Sequence, residues 1–494
     1  MKIKNIFFVI VLIALSALYS IGKTLNVGVG KPYSNPAQAA LDALPGDTIL
    51  IHPGNYTGAY YISNLNGNAN AWIVIMGTDN KTVVMAAGSE GFHFSDVNYI
   101  KIQNITFTGQ TSNGMNMDDA GTFESPSRHI IVHNCDFQFM GAQGNNDFLK
   151  LSGIDSFEIS YCKFQKGATG GSGIDMVGCH YGRVHHCSFD SMGSNSVQMK
   201  GGTQFIKIEN NVFRNGGQRS LNLGGSTGYA FFRPQNAKFE AADITVYANV
   251  FVKGPAPIAY VGCERVDVAN NTIYLPEKWV IRILQETVDT PRFVPCRNNM
   301  FRNNIIYFSS VVTTHVNVGS NTSPATFLFS HNLWYNTSNP SASTPTLPTT
   351  EVSGIKGQDP LFTSSENFIL LQNSPAIHNG TQITGLPEDM QGFKFKDPPS
   401  RGAYEYGSGV SIKEKKEIVR RLMFPNPATS HLFIEQTNEI LSVRISDLTG
   451  QALIEKVNDD FDNGISLKDI LPGIYIVTIT ESNGNISSQK LMKF

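Results

Sequence analysis

Lys200, in Gln198-Met-Lys-Gly-Gly202, and Arg219, in Gly217-Gln-Arg-Ser-Leu-Asn-Leu-Gly-Gly225, are the residues whose types point most directly to chemistry. A lysine set among other cations can have a lowered pKa and act as a base, and a guanidinium can neutralise a carboxylate. Lys200 as such a base suits elimination on an acidic sugar polymer. That reaction needs a base for the C5 proton, cations against the uronate carboxylate, and an acid for the leaving oxygen. Six segments of one pattern surround the pair: Leu149-Lys-Leu-Ser-Gly153, Ile174-Asp-Met-Val-Gly178, Val197-Gln-Met-Lys-Gly201, Leu221-Asn-Leu-Gly-Gly225, Ile258-Ala-Tyr-Val-Gly262 and Ile281-Arg-Ile-Leu-Gln285. As strands they send their first and third residues inward and the second and fourth outward. The first outward column is Lys150, Asp175, Gln198, Asn222, Ala259 and Arg282; the second is Ser152, Val177, Lys200, Gly224, Val261 and Leu284. Neighbours in a column stand ~5 Å apart, which makes a polar strip compatible with sugar. The plainer reading is that these residues are polar because they meet water, with Lys150 and Asp175 a surface ion pair.

Two insertions leave the same corner of this pattern. Residues 225–243 hold Tyr229, Phe231, Phe232 and Arg233; residues 285–299 hold Glu286, Arg292 and Phe293. Long loops on a tight repeat are usually functional. Aromatic residues beside an arginine can stack on a sugar ring and grip a carboxylate or sulfate. The expected binding set is therefore Lys150, Asp175, Gln198, Asn222, Arg233, Arg282, Glu286 and Arg292, lining a groove beside Lys200. The structural alternative is that Phe231 and Phe232 only cap exposed core.

The elements that must position these residues are written in a repeat. Nine phrases share one ending, among them Asn104-Ile-Thr-Phe107, Asn134-Cys-Asp-Phe137, His186-Cys-Ser-Phe189, Asn210-Asn-Val-Phe213 and His331-Asn-Leu-Trp334. Their second column runs Ile105, Cys135, Cys162, Cys187, Asn211, Asn249, Asn271, Asn304, Asn332. A period of roughly 22–27 residues with columns of like residues is the mark of stacked β-coils. Asparagines at a bend can bond to their neighbours above and below. The fold class expected is all-β: a right-handed parallel β-helix over residues 23–406, then a charged linker at 407–420 and a small β-sandwich at 421–494. Asn35 caps a short helix reaching Leu44, which would plug the open end of the stack. Arg401-Gly-Ala-Tyr-Glu-Tyr406 would close it.

Residues 1–22 begin with Met1-Lys-Ile-Lys and an apolar run from Ile6 to Leu18, the form of a signal peptide, with a retained anchor as the alternative. A formal net charge of −2 argues against nucleic acid as a partner. The chain reads as a monomer. Cys135, Cys162 and Cys187 read as small buried hydrophobes, and any disulfide is expected between Cys263 and Cys296.

Two resemblances follow from these residues. Pro45-Gly-Asp-Thr-Ile-Leu-Ile-His-Pro-Gly54 with the preceding helix, and the phrase at residues 401–406, resemble secreted β-helix polysaccharide lyases of the chondroitinase B and alginate lyase type. In that family a lysine on one coil and an arginine on the next act together, which implies catalytic roles for Lys200 and Arg219. Calcium is the cofactor that resemblance makes possible, yet residues 193–198 hold none of the family's acidic ligands and no metal site is expected. Phe424-Pro-Asn-Pro-Ala428, Leu471-Pro-Gly-Ile-Tyr-Ile-Val477 and the basic end around Lys490 and Lys493 are similar to the C-terminal sorting domain of the type IX secretion system of Bacteroidetes. That likeness implies the secretion machinery as a partner, export through the outer membrane, and a secreted or surface-attached protein. The function expected is binding and cleaving an acidic polysaccharide by β-elimination. A non-catalytic adhesin is the alternative from another class. A glycoside hydrolase would need two carboxylates at a set separation, and Asp175 is the one carboxylate in the outward columns, with Glu240, Glu264 and Glu286 nearby.

Overall fold

The structure is a computed structural model describing residues 22–407, apart from 143–145 and 290. It also describes residues 423–494, apart from 435–439, 448–449, 458–460, 462–463 and 482–485. All but the last residue of the signal-peptide segment and all but the first of the linker lie outside the described residues. The chain divides into two compact units at Ser408/Gly409.

Three parallel sheets of 14, 10 and 12 strands form the first unit, and each strand pairs with its counterpart one coil away. This is the expected parallel β-helix. Each coil must turn a tight corner, and the corner before the ladder residue is made in left-handed backbone. Asn104, Asn134, Asn210, Asn270 and Asn303 take φ between 51° and 57° there, save Asn134 at 48°. Asparagine is among the few residues that adopt this conformation readily.

Inside that corner the asparagine ladder is continuous. Asn211 Nδ2 donates to Asn249 Oδ1, Asn249 to Asn271, Asn271 to Asn304 and Asn304 to Asn332, each at 3.0 Å. The same oxygens accept the backbone N–H of the residue below at 2.9 Å. The ladder begins on Cys187 N–H, which donates to Asn211, and ends on Glu351, which accepts from Asn332 and from the Trp334 indole. All five asparagines are fully buried. The cysteine section fills the same column as buried thiols, whose Sγ atoms lie 3.5–3.6 Å from backbone carbonyls of the ladder. Beside it, Phe107, Phe137, Phe164, Phe189, Phe213 and Phe251 stack with centroids 4.7–4.9 Å apart.

The helix Pro36–Asp42 lies over the N-terminal coil, with Asn35 Oδ1 accepting from Gln38 N–H at 3.0 Å. At the other end the expectation needs correction. The stack finishes at Ile355–Lys356, and residues 357–407 run back along its flank. Asn270 Nδ2 donates to Ser400 O, Asn303 Nδ2 to Thr381 O and Asn210 Nδ2 to Glu388 O. Arg401, 1% exposed, bonds the carbonyls of Asn332, Ser353 and Asn379. The phrase at 401–406 therefore straps the coils laterally, because the polar corners offer unsatisfied amides there and the core does not.

The second unit is antiparallel: a three-stranded sheet (Met423–Phe424, His431–Ile434, Ile465–Ser466) and a four-stranded sheet (Ala452–Val457, Ile440–Ser446, Gly473–Glu481, Ile486–Lys493). Leu432, Val443, Ile445, Leu467, Val477, Ile479 and Leu491 form their shared core. The Pro-Asn-Pro-Ala start is tied to the last strand, where Met492 N–H donates to Asn426 Oδ1 and Asn426 Nδ2 donates to Lys490 O.

Asn249→Leu removes the acceptor of Asn211 and the donor to three buried oxygens, so it should cost roughly 2–4 kcal/mol in denaturant unfolding; an unchanged midpoint would show the ladder idle. The Cys263 and Cys296 sulfurs are buried and 3.9 Å apart as free thiols. Oxidation by a disulfide reagent should join these two and leave the ladder cysteines unpaired with them, as peptide mass spectrometry would report.

Candidate functional site

The 10-stranded sheet carries the strip. Strand pairing places Tyr61, His93, Asn116, Lys150, Asp175, Gln198, Asn222, Ala259, Arg282 and Asn317 in one unbroken row. The first outward column thus stands in the expected order, extended by three residues at one end and one at the other. The second column does not. A register shift between Gln198 and Met199 sets Met199, rather than Lys200, opposite Gly224. Lys200 has Val177 on one side and no in-register partner on the other.

At the middle of the row lies an acid–base cluster. Asp175, 1% exposed, takes a contact from Lys150 Nζ on one oxygen, while Lys200 Nζ lies 3.3 Å from the other, an ion pair rather than a directed hydrogen bond. Lys150 also lies 3.5 Å from Asp147, whose other oxygen accepts Ser172 N–H at 2.7 Å. Burial first, and then the nearby Asp175 charge, push the Asp147 carboxyl up to about 6. Burial disfavours the Lys150 ammonium, but Asp175 and Asp147 outweigh it and raise its pKa. Two expectations fall here. Asp175 and Lys150 are not a surface pair, since the carboxylate is buried beneath the row. Lys200 does not sit among cations alone, since the Asp175 carboxylate is paired with both it and Lys150.

The Gln198 side chain accepts from Asn195 Nδ2 at 2.7 Å, so it is oriented by its own strand. Toward the C-terminal coils, Arg219 donates to Asn222 Oδ1 at 3.0 Å and to Glu286 Oε1 at 2.7 Å. Arg282 donates to Asn317 Oδ1 at 3.1 Å and lies 4.5 Å over the Trp279 ring. Arg219 and Lys200 form no direct contact; Arg219 belongs to the Asn222–Arg282 end.

The insertions depart furthest from expectation. Arg233 is 8% exposed and held bidentate by Asp155 at 2.7 Å for both bonds, with further bonds to the Gly178 and Phe123 carbonyls. Such a planar fork on a carboxylate is already satisfied, so Arg233 pins its loop to the corner and is not placed to grip a polymer. Arg292 lies over Tyr229, Phe232 and Phe293 at 4.7–5.0 Å and donates to Gln235 O at 2.9 Å. It joins the two loops to each other instead of facing a groove. Buried Glu240 completes the knot, accepting from Gly201 N–H, Thr227 N–H and the Thr227 and Thr287 hydroxyls. Phe232 is buried, whereas Phe231 (68%) and Tyr229 (47%) remain exposed.

One part of the row escaped the sequence reading. His93 stands between two carboxylates, Nδ1 at 2.8 Å from Glu90 and Nε2 at 2.8 Å from Asp118, with Ser95 donating to Asp118 at 2.6 Å and the Tyr61 ring 4.8 Å away. The signal existed: Phe92-His-Phe-Ser95 and Met115-Asn-Met-Asp118 repeat the alternation of the six aligned segments. Among the described residues no group of three or more His, Cys, Asp or Glu side chains is placed to hold a metal ion.

Asp147 is a carboxyl whose folded pKa lies above its unfolded value. Its contribution to stability is complete at low pH and is lost as pH rises through about 6. Asp147→Asn should therefore gain stability relative to the wild type between pH 5 and pH 8, by roughly 1–3 kcal/mol. Chemical denaturation at the two pH values measures this; a difference that does not change with pH would rule it out.

Residues 80–273 match the family described as right handed beta helix region, and residues 422–493 match the secretion system C-terminal sorting domain. No curated protein matches the chain. Solved structures similar to it include pectate lyase Pel9A, at 16% identity over 78% of this chain and 97% of that one, with a TM-score of 0.49. Others are the alginate lyase from Paenibacillus sp. str. FPU-7 (14%, covering 61% and 97%, TM-score 0.39) and the Azotobacter vinelandii mannuronan C-5 epimerase AlgE6 A-module (13%, 65% and 94%, 0.42). The chain carries a right-handed parallel β-helix and a type IX C-terminal sorting domain, and it is secreted or attached to the cell surface.

Proposed function

We propose that this is an exported β-helix protein that binds an acidic polysaccharide along the outward row and cleaves it by β-elimination. The observation that carries the reading is the row itself: ten residues in register at the strand spacing of ~4.8 Å, with Lys150, Arg282 and the Arg219 side chain reaching it from one face. A linear polymer lies naturally along such a row, and cations at intervals meet its acidic groups.

The pairing of Lys200 changes its part in the reaction. It is ion-paired with Asp175 at 3.3 Å, and from there its role is to stabilise the charge that develops on the uronate carboxylate as the C5 proton leaves, or to assist the departing oxygen. Lys150 is a second ammonium at the same carboxylate and lies in the row. Arg219, one coil beyond Lys200, and Arg282, three coils beyond it, anchor the chain.

The interlocking of the two insertions favours a second reading, a non-catalytic glycan-binding β-helix. Both loop arginines are engaged by the protein itself, so the loops form a buttress and not the jaws of a cleft.

Purified protein incubated with pectate, alginate, chondroitin and ulvan should yield unsaturated products on one of them, read by ultraviolet absorbance. Lys200→Ala should reduce that turnover at least about a hundredfold while the protein stays folded. Binding without any product on all four polymers would select the non-catalytic reading. Arg282→Ala should weaken binding more at low than at high salt, because the attraction is screened by ions. Arg233→Ala should instead lower the melting temperature, since it leaves Asp155 unpaired.

A further inference from the structure

Arg219 and Arg282 flank a gap in the row that the protein fills from its own loop. Arg219 lies on strand Arg219–Gly224 and Arg282 on strand Ile281–Leu284, with strand Ile258–Val261 between them. The residue of the row on that middle strand is Ala259, whose side chain is a single methyl group. Glu286, two residues beyond the Arg282 strand, reaches back across the middle strand to Arg219 at 2.7 Å, and Ala259 and Val261 beneath have no exposed surface.

We infer that Glu286 stands where the anionic group of a ligand belongs, so that the corner made by Arg219, Asn222, Ala259 and Arg282 is a subsite for a sugar-borne carboxylate or sulfate, closed at rest by the protein's own carboxylate. The inference rests on the acidic-polymer reading and places one acidic group of that polymer. The charges favour it. Two guanidiniums share this corner, and Glu286 answers them across the middle strand. The Arg282 fork is aimed by Asn317 on one side and by the Trp279 face beneath it, while its charge is disfavoured first by burial and then by the proximity of Arg219. A second anion would relieve that repulsion. Glu286 is a weak incumbent: its side chain is 34% exposed, and a pair of that exposure is loosely held. An incoming carboxylate or sulfate offers two oxygens to a guanidinium fork, a stronger and more directional contact than a single bond.

An internal competitor lowers apparent affinity by the fraction of time it occupies the site, so removing its charge raises affinity without any new contact. The test measures binding of the exported protein to polygalacturonate, which carries carboxylates, and to dextran sulfate, which carries sulfates, at fixed ionic strength. Glu286→Gln should bind at least about fivefold more tightly than wild type to the polymer whose group the subsite takes. Arg219→Ala should bind more weakly, and should lose the gain when combined with Glu286→Gln. Glu366→Gln, an exposed residue on the flanking segment, makes the same change in net charge and serves as the control. Tightening on polygalacturonate alone assigns a carboxylate subsite, on dextran sulfate alone a sulfate subsite, and on both an anion subsite without preference. Equal affinities of Glu286→Gln and Glu366→Gln on both polymers, with wild type bound, would overturn this inference and leave the polymer reading standing. Retention of no form by either polymer would overturn both.

Discussion

The vertical hydrogen bond between stacked asparagines is the interaction on which the rest of this molecule depends. Each amide accepts from the backbone and side chain of the coil below and donates to carbonyls around it, so a bend that would bury unpaired polar groups is satisfied coil by coil. The phenylalanine stack beside it has the same period, with centroids 4.7–4.9 Å apart. Both columns fix each strand's height and rotation relative to the next. The outer surface inherits that order, and this is why residues from ten coils form a straight row.

The outer surface obeys a different rule, since charges there must find partners or remain in water. Asp175 has sunk beneath the row and is covered by two ammoniums; Arg233 is clamped by Asp155; Glu240 is surrounded by four donors from two loops and a strand end. These groups are spent on architecture, because a buried charge left single costs several kcal/mol. What remains for a ligand is the part of the row where pairing is incomplete or exposed: Lys150 above Asp175, the His93 assembly, and the two arginines around Ala259. The insertions matter less as grasping elements than as a brace, locked to each other through Arg292 and Glu240 and to the strand end at Gly201.

The C-terminal unit follows the same logic on a small scale. Its entry phrase is bonded through Asn426 to the strand that ends the chain, so start and finish of the unit close on each other.

Much of this was legible in the sequence. Periodicity alone determined the solenoid, the ladder and the inward and outward assignment, because strand alternation and coil repetition are local rules written in residue type at Asn249, Phe164 or Ile174. The cap helix was equally local, set by Asn35 and Pro36. Side-chain partnership was not. Nothing in the spacing says that Arg233 folds back to Asp155, 78 residues earlier, or that Arg292 lies on the rings of the other insertion. Nor does it show that Lys200 shares Asp175 with Lys150, or that one irregular step at Met199 displaces Lys200 from its column. Long flexible side chains choose among partners brought near by the coil stack, and the choice is made by charge and desolvation across coils. A repeat specifies where each Cα stands; only the assembled structure decides which charges are consumed and which are left for a ligand.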